Sequence, residues 1–126
     1  MALEIVTGEK APKPAGPYSP AVRWDRLVFT AGMVGVDPSV GKPVEGGVRE
    51  QTRQVLINLQ NVLEAAGTDL RHVVKTMCFL RDIGDFAAFN EVYREFFPSD
   101  PPARSTVEAG LLAPYVVEIE AIAVRE

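Results

Sequence analysis

Apolar positions recur along this chain with two periods, and the changes of period mark out the elements. Over residues 48–66, Val48, Thr52, Val55, Leu56, Leu59, Val62, Leu63 and Ala66 fall at spacings of three and four, which makes one stripe of an amphipathic helix. Gly67 stands where a left-handed C-terminal cap is expected. A second helix is predicted over 84–97, with Phe86, Phe89, Tyr93, Phe96 and Phe97 as its buried face. Asp82 or Asp85 caps its start and Pro98 stops it. Residues 21–36 read as a strand carrying Val22, Trp24, Leu27, Val28, Phe29, Val34 and Val36, with Gly32 and Gly35 as kinks or bulges. A β-branched and apolar run over 72–80 is a further strand, and two more lie near 103–109 and 116–125. Residues 10–20, with Pro12, Pro14, Pro17 and Pro20, are expected to be extended and irregular, because proline fixes φ and removes a donor. Residues 38–47 form a turn region.

The alternation in the last two strands is the most informative. Val117, Ile119, Ala121 and Ala123 point one way, and Glu118, Glu120, Ile122 and Val124 the other. In the preceding strand Ala103, Ser105, Val107 and Ala109 share one face, and Arg104, Thr106 and Glu108 share the other. Two amphipathic helices cover one face of a sheet of five or six strands. The other face carries Ile122 and Val124 beside charges, which is too apolar for water, so a second subunit is expected against it. If the last two strands pair antiparallel, Arg104 and Glu118 share that uncovered face. An arginine there would grip a carboxylate by two parallel hydrogen bonds, beside a proton-handling acid. The same two residues also read as an interface salt bridge without catalytic meaning.

Composition narrows the function classes. A chain of 126 residues fits one domain over 1–126, and its 24% charged and 47% hydrophobic residues exclude disorder. Lys+Arg 13 against Asp+Glu 17 gives a net charge of −4, which argues against nucleic acid as a partner. One His and one Cys are too few for the usual zinc ligand set, no acidic-loop spacing suggests calcium, and no metal site is expected. No apolar run approaches the length of a membrane span, and the first ten residues lack the apolar core of a signal peptide, so the expected location is the cytoplasm.

The remaining candidate groups have plain readings. Cys78 sits in an apolar strand pattern as a small buried hydrophobe. His72 is a solvated turn residue, and with no second His a serine triad is improbable. Gly32-Met-Val-Gly35 is neither a dinucleotide fingerprint nor a phosphate loop. Tyr18, in the proline-rich stretch, either packs an edge or closes a pocket.

Several blocks resemble a known family. Pro101-Pro-Ala-Arg-Ser-Thr-Val-Glu108, followed by Val117-Glu-Ile-Glu-Ala-Ile-Ala-Val124, is similar to the C-terminal signature of the RidA reactive-intermediate deaminases. Gly16-Pro-Tyr-Ser-Pro20, Val73-Val-Lys-Thr76 and Asp85-Phe-Ala-Ala-Phe-Asn90 match its other blocks in order. The resemblance implies a chorismate-mutase-like α+β fold, with a mixed sheet of about six strands, two helices on one face, and a homotrimeric barrel with pockets between subunits. It implies hydrolysis of 2-imino acids such as 2-iminobutanoate and 2-iminopropanoate to 2-oxo acids and ammonia, with no cofactor. The imines would come from pyridoxal-phosphate enzymes such as threonine dehydratase. By the same resemblance Arg104 holds the substrate carboxylate, and Glu118 positions and deprotonates water. Tyr18 and Asn90 line the pocket, and the backbone of Gly32 and Thr106 faces the ligand.

Two other readings compete with the deaminase. A non-catalytic trimer that binds small carboxylates, or acts as a chaperone-like partner, would keep Arg104-dependent binding without turnover. An endoribonuclease or translation inhibitor would bind RNA with a steep salt dependence, for which the net charge and single His are poor equipment.

Overall fold

The computed structural model describes residues 2–126. In chain order its elements are β1 (Glu4–Val6), β2 (Ala21–Trp24), β3 (Leu27–Thr30), β4 (Met33–Val34), β5 (Val36–Asp37), β6 (Lys42–Pro43), α1 (Val48–Ala65), β7 (Val73–Leu80), α2 (Phe86–Phe96), β8 (Ala103–Glu108) and β9 (Val117–Val124). One sheet of seven strands runs β1-β2-β3-β9-β7-β8, with β4 also paired to β9, and β5–β6 form a separate hairpin. Only β7–β8 is parallel, so the sheet is mixed.

Both helices lie on one face of this sheet, as two apolar stripes require. Val55, Leu56, Leu59, Val62 and Leu63 of α1 and Phe89 and Tyr93 of α2 join Val28, Cys78, Leu80, Ile119 and Ala123 in a single core. Gly67 takes φ 87°, and Thr68 N–H and Gly67 N–H bond the Leu63 and Glu64 carbonyls at 3.0 and 3.1 Å, which closes α1 in the expected left-handed cap. At the start of the second helix Asp82, rather than Asp85, supplies the capping carboxylate: it accepts the Gly84 N–H at 2.8 Å, in a 3-10 turn that precedes α2. Phe86, expected in the buried face, is 38% exposed.

Three short features depart from the expected strands. The single strand expected over 21–36 is broken first by a turn at Asp25–Arg26, where Asp25 adopts φ 56°, a value aspartate tolerates better than most residues. It is broken again between β3 and β4, where Thr30 Oγ1 accepts the Ala121 N–H at 3.0 Å and fills the gap in the ladder. β1 and β6 occupy stretches with no periodic signal, and Val36, the last residue of the expected strand, opens the β5–β6 hairpin instead.

The pairing of the last two strands corrects the expectation that mattered most. β8 and β9 are not neighbours; β7 lies between them, parallel to β8 and antiparallel to β9. Residues opposite one another in a ladder share a face. Arg104 lies opposite Thr76, which lies opposite Ala121, so Arg104 and Thr106 belong to the helix-covered face. Glu118 lies opposite Phe79 and Val34, on the open face. That open face is apolar as expected: Phe29 opposite Ile122, Leu27 opposite Val124, with Trp24 beside Leu27.

Candidate functional site

The residues singled out from the sequence gather at two places. A cavity of about 660 Å³ opens between the proline-rich segment, the β3–β4 break and the loop before β9. Tyr18, Gly32 and Glu118 line it, together with Lys13, Met33 and Tyr115. β9 is paired on both sides at Glu118, so the backbone beneath this acid is fixed. Its carboxylate has no hydrogen-bond or ion-pair partner among the described residues. Burial, and secondarily the negative charge of Glu120, push the Glu118 carboxyl above the ordinary glutamate value. Gly32 leaves room for this acid: a Cβ at this position would stand 2.7 Å from the Glu118 Cδ and push the carboxylate out of its present place.

Tyr18 is half exposed, and its hydroxyl accepts the Ala15 N–H at 3.2 Å, which ties the ring to its own loop. The opposite wall is tied down by residues the sequence reading passed over. The buried Gln51 of α1 donates to Pro114 O at 3.1 Å and accepts the Val116 N–H at 2.9 Å, bracketing Tyr115. Arg81 donates to Leu111 O at 2.6 Å. Asn58, also buried, donates to the carbonyls of Val34 and Val36 at 3.0 and 2.8 Å and so fixes the chain next to the cavity floor. The signal was present, since Gln51 and Asn58 fall on the same helical stripe as Val55, Leu59 and Val62.

The second place is the edge strand β8. Arg104 Nη1 donates to Asn90 Oδ1 at 2.9 Å. Its guanidinium carbon lies 4.8 Å from the ring centroid of Tyr93 and 5.5 Å from those of Phe86 and Phe89. No carboxylate pairs with Arg104 among the described residues. Thr106, two residues along the same face, has a buried hydroxyl oxygen without a hydrogen-bond partner. Cys78, opposite Thr106, is fully buried, and burial pushes its thiol up to about 11, so it stays protonated at neutral pH. His72 sits exposed on a 3-10 turn, with Nδ1 2.8 Å from Asp69 Oδ1.

Thus the structure brings Tyr18, Gly32 and Glu118 together in the cavity, and Arg104, Asn90 and Thr106 together at the sheet edge. Within one chain the two groups lie on opposite faces of the sheet. Among the described residues no group of three His, Cys, Asp or Glu is placed to hold a metal ion, and no helix is long and apolar enough to cross a membrane.

The family described as Endoribonuclease L-PSP matches residues 8–125. A RutC family protein of Pyrococcus abyssi is 46% identical over 127 residues, covering 100% of both chains. The 2-iminobutanoate/2-iminopropanoate deaminase of Mus musculus is 46% identical over 123 residues, 97% of this chain and 91% of its own. The crystal structure of Escherichia coli TdcF with bound serine superposes with a TM-score of 0.92 at 37% identity, covering 98% of this chain and 99% of that one. The chain belongs to the endoribonuclease L-PSP (YjgF/RidA) family.

Proposed function

We propose that this protein hydrolyses reactive 2-imino acids, such as 2-iminobutanoate and 2-iminopropanoate, to 2-oxo acids and ammonia, in sites shared between copies of the chain in a homotrimer. The observation that carries the proposal is the Arg104 guanidinium, held in place by Asn90 and three aromatic rings yet without a carboxylate partner among the described residues. A planar fork in that state suits a small carboxylate. Relatives named 2-iminobutanoate/2-iminopropanoate deaminase at 44–47% identity support the reaction class. The serine bound to TdcF, an acid with nitrogen on the carbon next to its carboxylate, supports the substrate class.

The shared site follows from the two faces. Within one chain the arginine is on the helix side of the sheet and the glutamate on the open side, which supports a reading in which the Arg104 edge of one copy meets the Glu118 cavity of another. The apolar open face, with Phe29 and Trp24 exposed, is the surface such an assembly would cover.

In the reaction, Arg104 holds the carboxylate of the protonated imine. Water attacks the carbon of the C=N bond as Glu118 takes one of its protons, giving a neutral amino alcohol. Glu118 then returns that proton to nitrogen. The C–N bond breaks, the hydroxyl becomes the carbonyl, and the departing ammonia carries off the hydroxyl proton as ammonium. Glu118 is restored as carboxylate, and no cofactor enters. Burial suits the acid to both steps by bringing it nearer to neutrality, and such acid–base help is worth roughly 10²–10⁴ in rate. The supplier of substrate is a pyridoxal-phosphate enzyme that releases enamines, of which threonine dehydratase is the type.

A trapping assay tests this. Threonine dehydratase generates the enamine beside semicarbazide, and the protein is titrated in as wild type and as Arg104→Ala. Wild type is expected to suppress semicarbazone formation and the variant to leave it unchanged. No suppression by wild type overturns the deaminase, and equal suppression by both removes Arg104 from its role.

A further inference from the structure

We propose that Tyr93, with Phe86 beside it, is a positioning residue that fixes the Arg104 guanidinium for a carboxylate. The proposal rests on the reading of Arg104 as the substrate anchor. Positions 86, 89, 90 and 93 fall on one stripe of α2, because residues three and four apart are neighbours on a helix. That stripe meets the edge strand where Arg104 emerges. Tyr93 approaches the guanidinium closest, at 4.8 Å from ring centroid to Cζ. Its ring is held by packing, between Phe89 and Phe97 at centroid distances of 5.5 and 4.7 Å, so the contact with the guanidinium does not depend on the hydroxyl, which lies 2.8 Å from the buried Thr76 Oγ1.

Two further facts fit this role. Phe86 is 38% exposed at the first position of α2, an unfavourable place for a ring that only fills space, but a useful one for a wall beside a cation. Asn90 Oδ1 takes a hydrogen bond from Nη1 only, so of the five N–H groups of a guanidinium four remain, enough for a two-pronged grip on a carboxylate. Beyond the bond to Asn90 the guanidinium makes no hydrogen bond among the described residues, so Nε and Nη2 are open to a ligand. An arginine already held in this way loses little further freedom when the ligand arrives.

The experiment is a calorimetric titration of the full-length protein with 2-oxobutanoate and, separately, its amide, with melting curves to confirm folding. The proteins are wild type, Arg104→Ala, Tyr93→Leu, Tyr93→Phe and Phe86→Ala. Tyr93→Leu is expected to weaken carboxylate binding about tenfold and Phe86→Ala about threefold, while Tyr93→Phe, which keeps the ring, stays within about twofold. Amide binding should change little in any of them, a selectivity that general loosening of the fold would not produce. Because Phe86 is exposed, its variant folds even if Tyr93→Leu does not. If Arg104→Ala abolishes binding while Tyr93→Leu and Phe86→Ala bind as wild type, the positioning role is overturned and the anchor stands. If Tyr93→Phe loses as much as Tyr93→Leu, the hydroxyl rather than the ring is responsible and the proposal fails. If wild type shows no Arg104-dependent affinity, the anchor reading itself falls, and this inference with it.

Discussion

Arg104 and Glu118 are both charged residues on strands of one sheet, yet their surroundings treat them in opposite ways. Arg104 is on an edge strand, but its side chain is gripped by Asn90 and has three ring centroids within 5.5 Å of its guanidinium carbon. Glu118 is on a central strand with backbone pairing on both sides, but its carboxylate has no partner among the described residues. The contrast suits the two roles proposed for them. A guanidinium keeps its charge throughout, so a fixed geometry costs it nothing in function. An acid that moves protons is spoiled by a strong bond to its charged form, because such a bond lowers its pKa. The chain carries its own control in Asp69, which hydrogen bonds from Arg71 and His72 hold down at about 2.

The comparison breaks most visibly at Glu118. Glu118→Gln is expected to lower turnover by roughly 10²–10⁴ while leaving 2-oxobutanoate binding within a few fold, as kinetics and titration on one preparation will show. Arg104→Ala is expected to cost about 2–4 kcal/mol of transition-state binding and to act on binding as well as on rate. Should both variants lose affinity equally, the division into a holding group and a proton-moving group is wrong.

Mixing the two inactive proteins sharpens the point. If the protein is the proposed trimer and each site takes Arg104 from one copy and Glu118 from the next, unfolding an equal mixture of the variants and refolding it with random assortment returns about a quarter of the wild-type sites. A site contained within one chain would return none.

The smallest effects concern pH. Because burial and Glu120 raise Glu118 above 4.5, the acid limb of kcat/KM should lie above the ordinary glutamate value, and Glu120→Gln should move it down slightly. Stability follows the same sign. The folded chain holds the Glu118 proton to higher pH than the unfolded chain, so this group favours folding at low pH and loses that contribution as pH rises through its folded value. Asp69 behaves in reverse: its contribution is present above 3.8 and disappears as pH falls towards about 2. Melting temperature against pH for wild type and Glu118→Gln separates the two, with the variant more stable than wild type at neutral pH.

Much of this was legible in the chain, for reasons that differ by element. α1, α2, β7 and β9 are long enough for a period to repeat several times, and their positions agree with the expected ones. β1, the turn at Asp25–Arg26 and the β5–β6 hairpin are two to four residues per strand, too short for any period to show. The misplacement of Arg104 has a different origin. Alternation within a strand divides its residues between two faces but does not say which face is which, and that depends on the neighbour. Assuming β8 beside β9 put Arg104 on the open side; inserting β7, with a parallel partner, put it under α2. The RidA-like blocks name candidate residues without locating them; Gln51 and Asn58 carry no reading in the sequence and Tyr93 reads only as a buried ring, yet their polar atoms organise the neighbouring loops and rings.

The position of β9 has a consequence for how the molecule comes into being. It follows every other strand in sequence yet lies between β3 and β7, with Leu27 paired to Val124 and Phe79 to Glu118. The early meander and the β7–β8 pair therefore cannot join into one sheet until this last segment inserts between them. Contacts of such long sequence separation form late and slowly. Glu118, the acid proposed to move protons, rides on the closing piece, so under that proposal a partly assembled chain holds the arginine edge without its chemical counterpart. Reactivity and completion of the fold arrive in the same event.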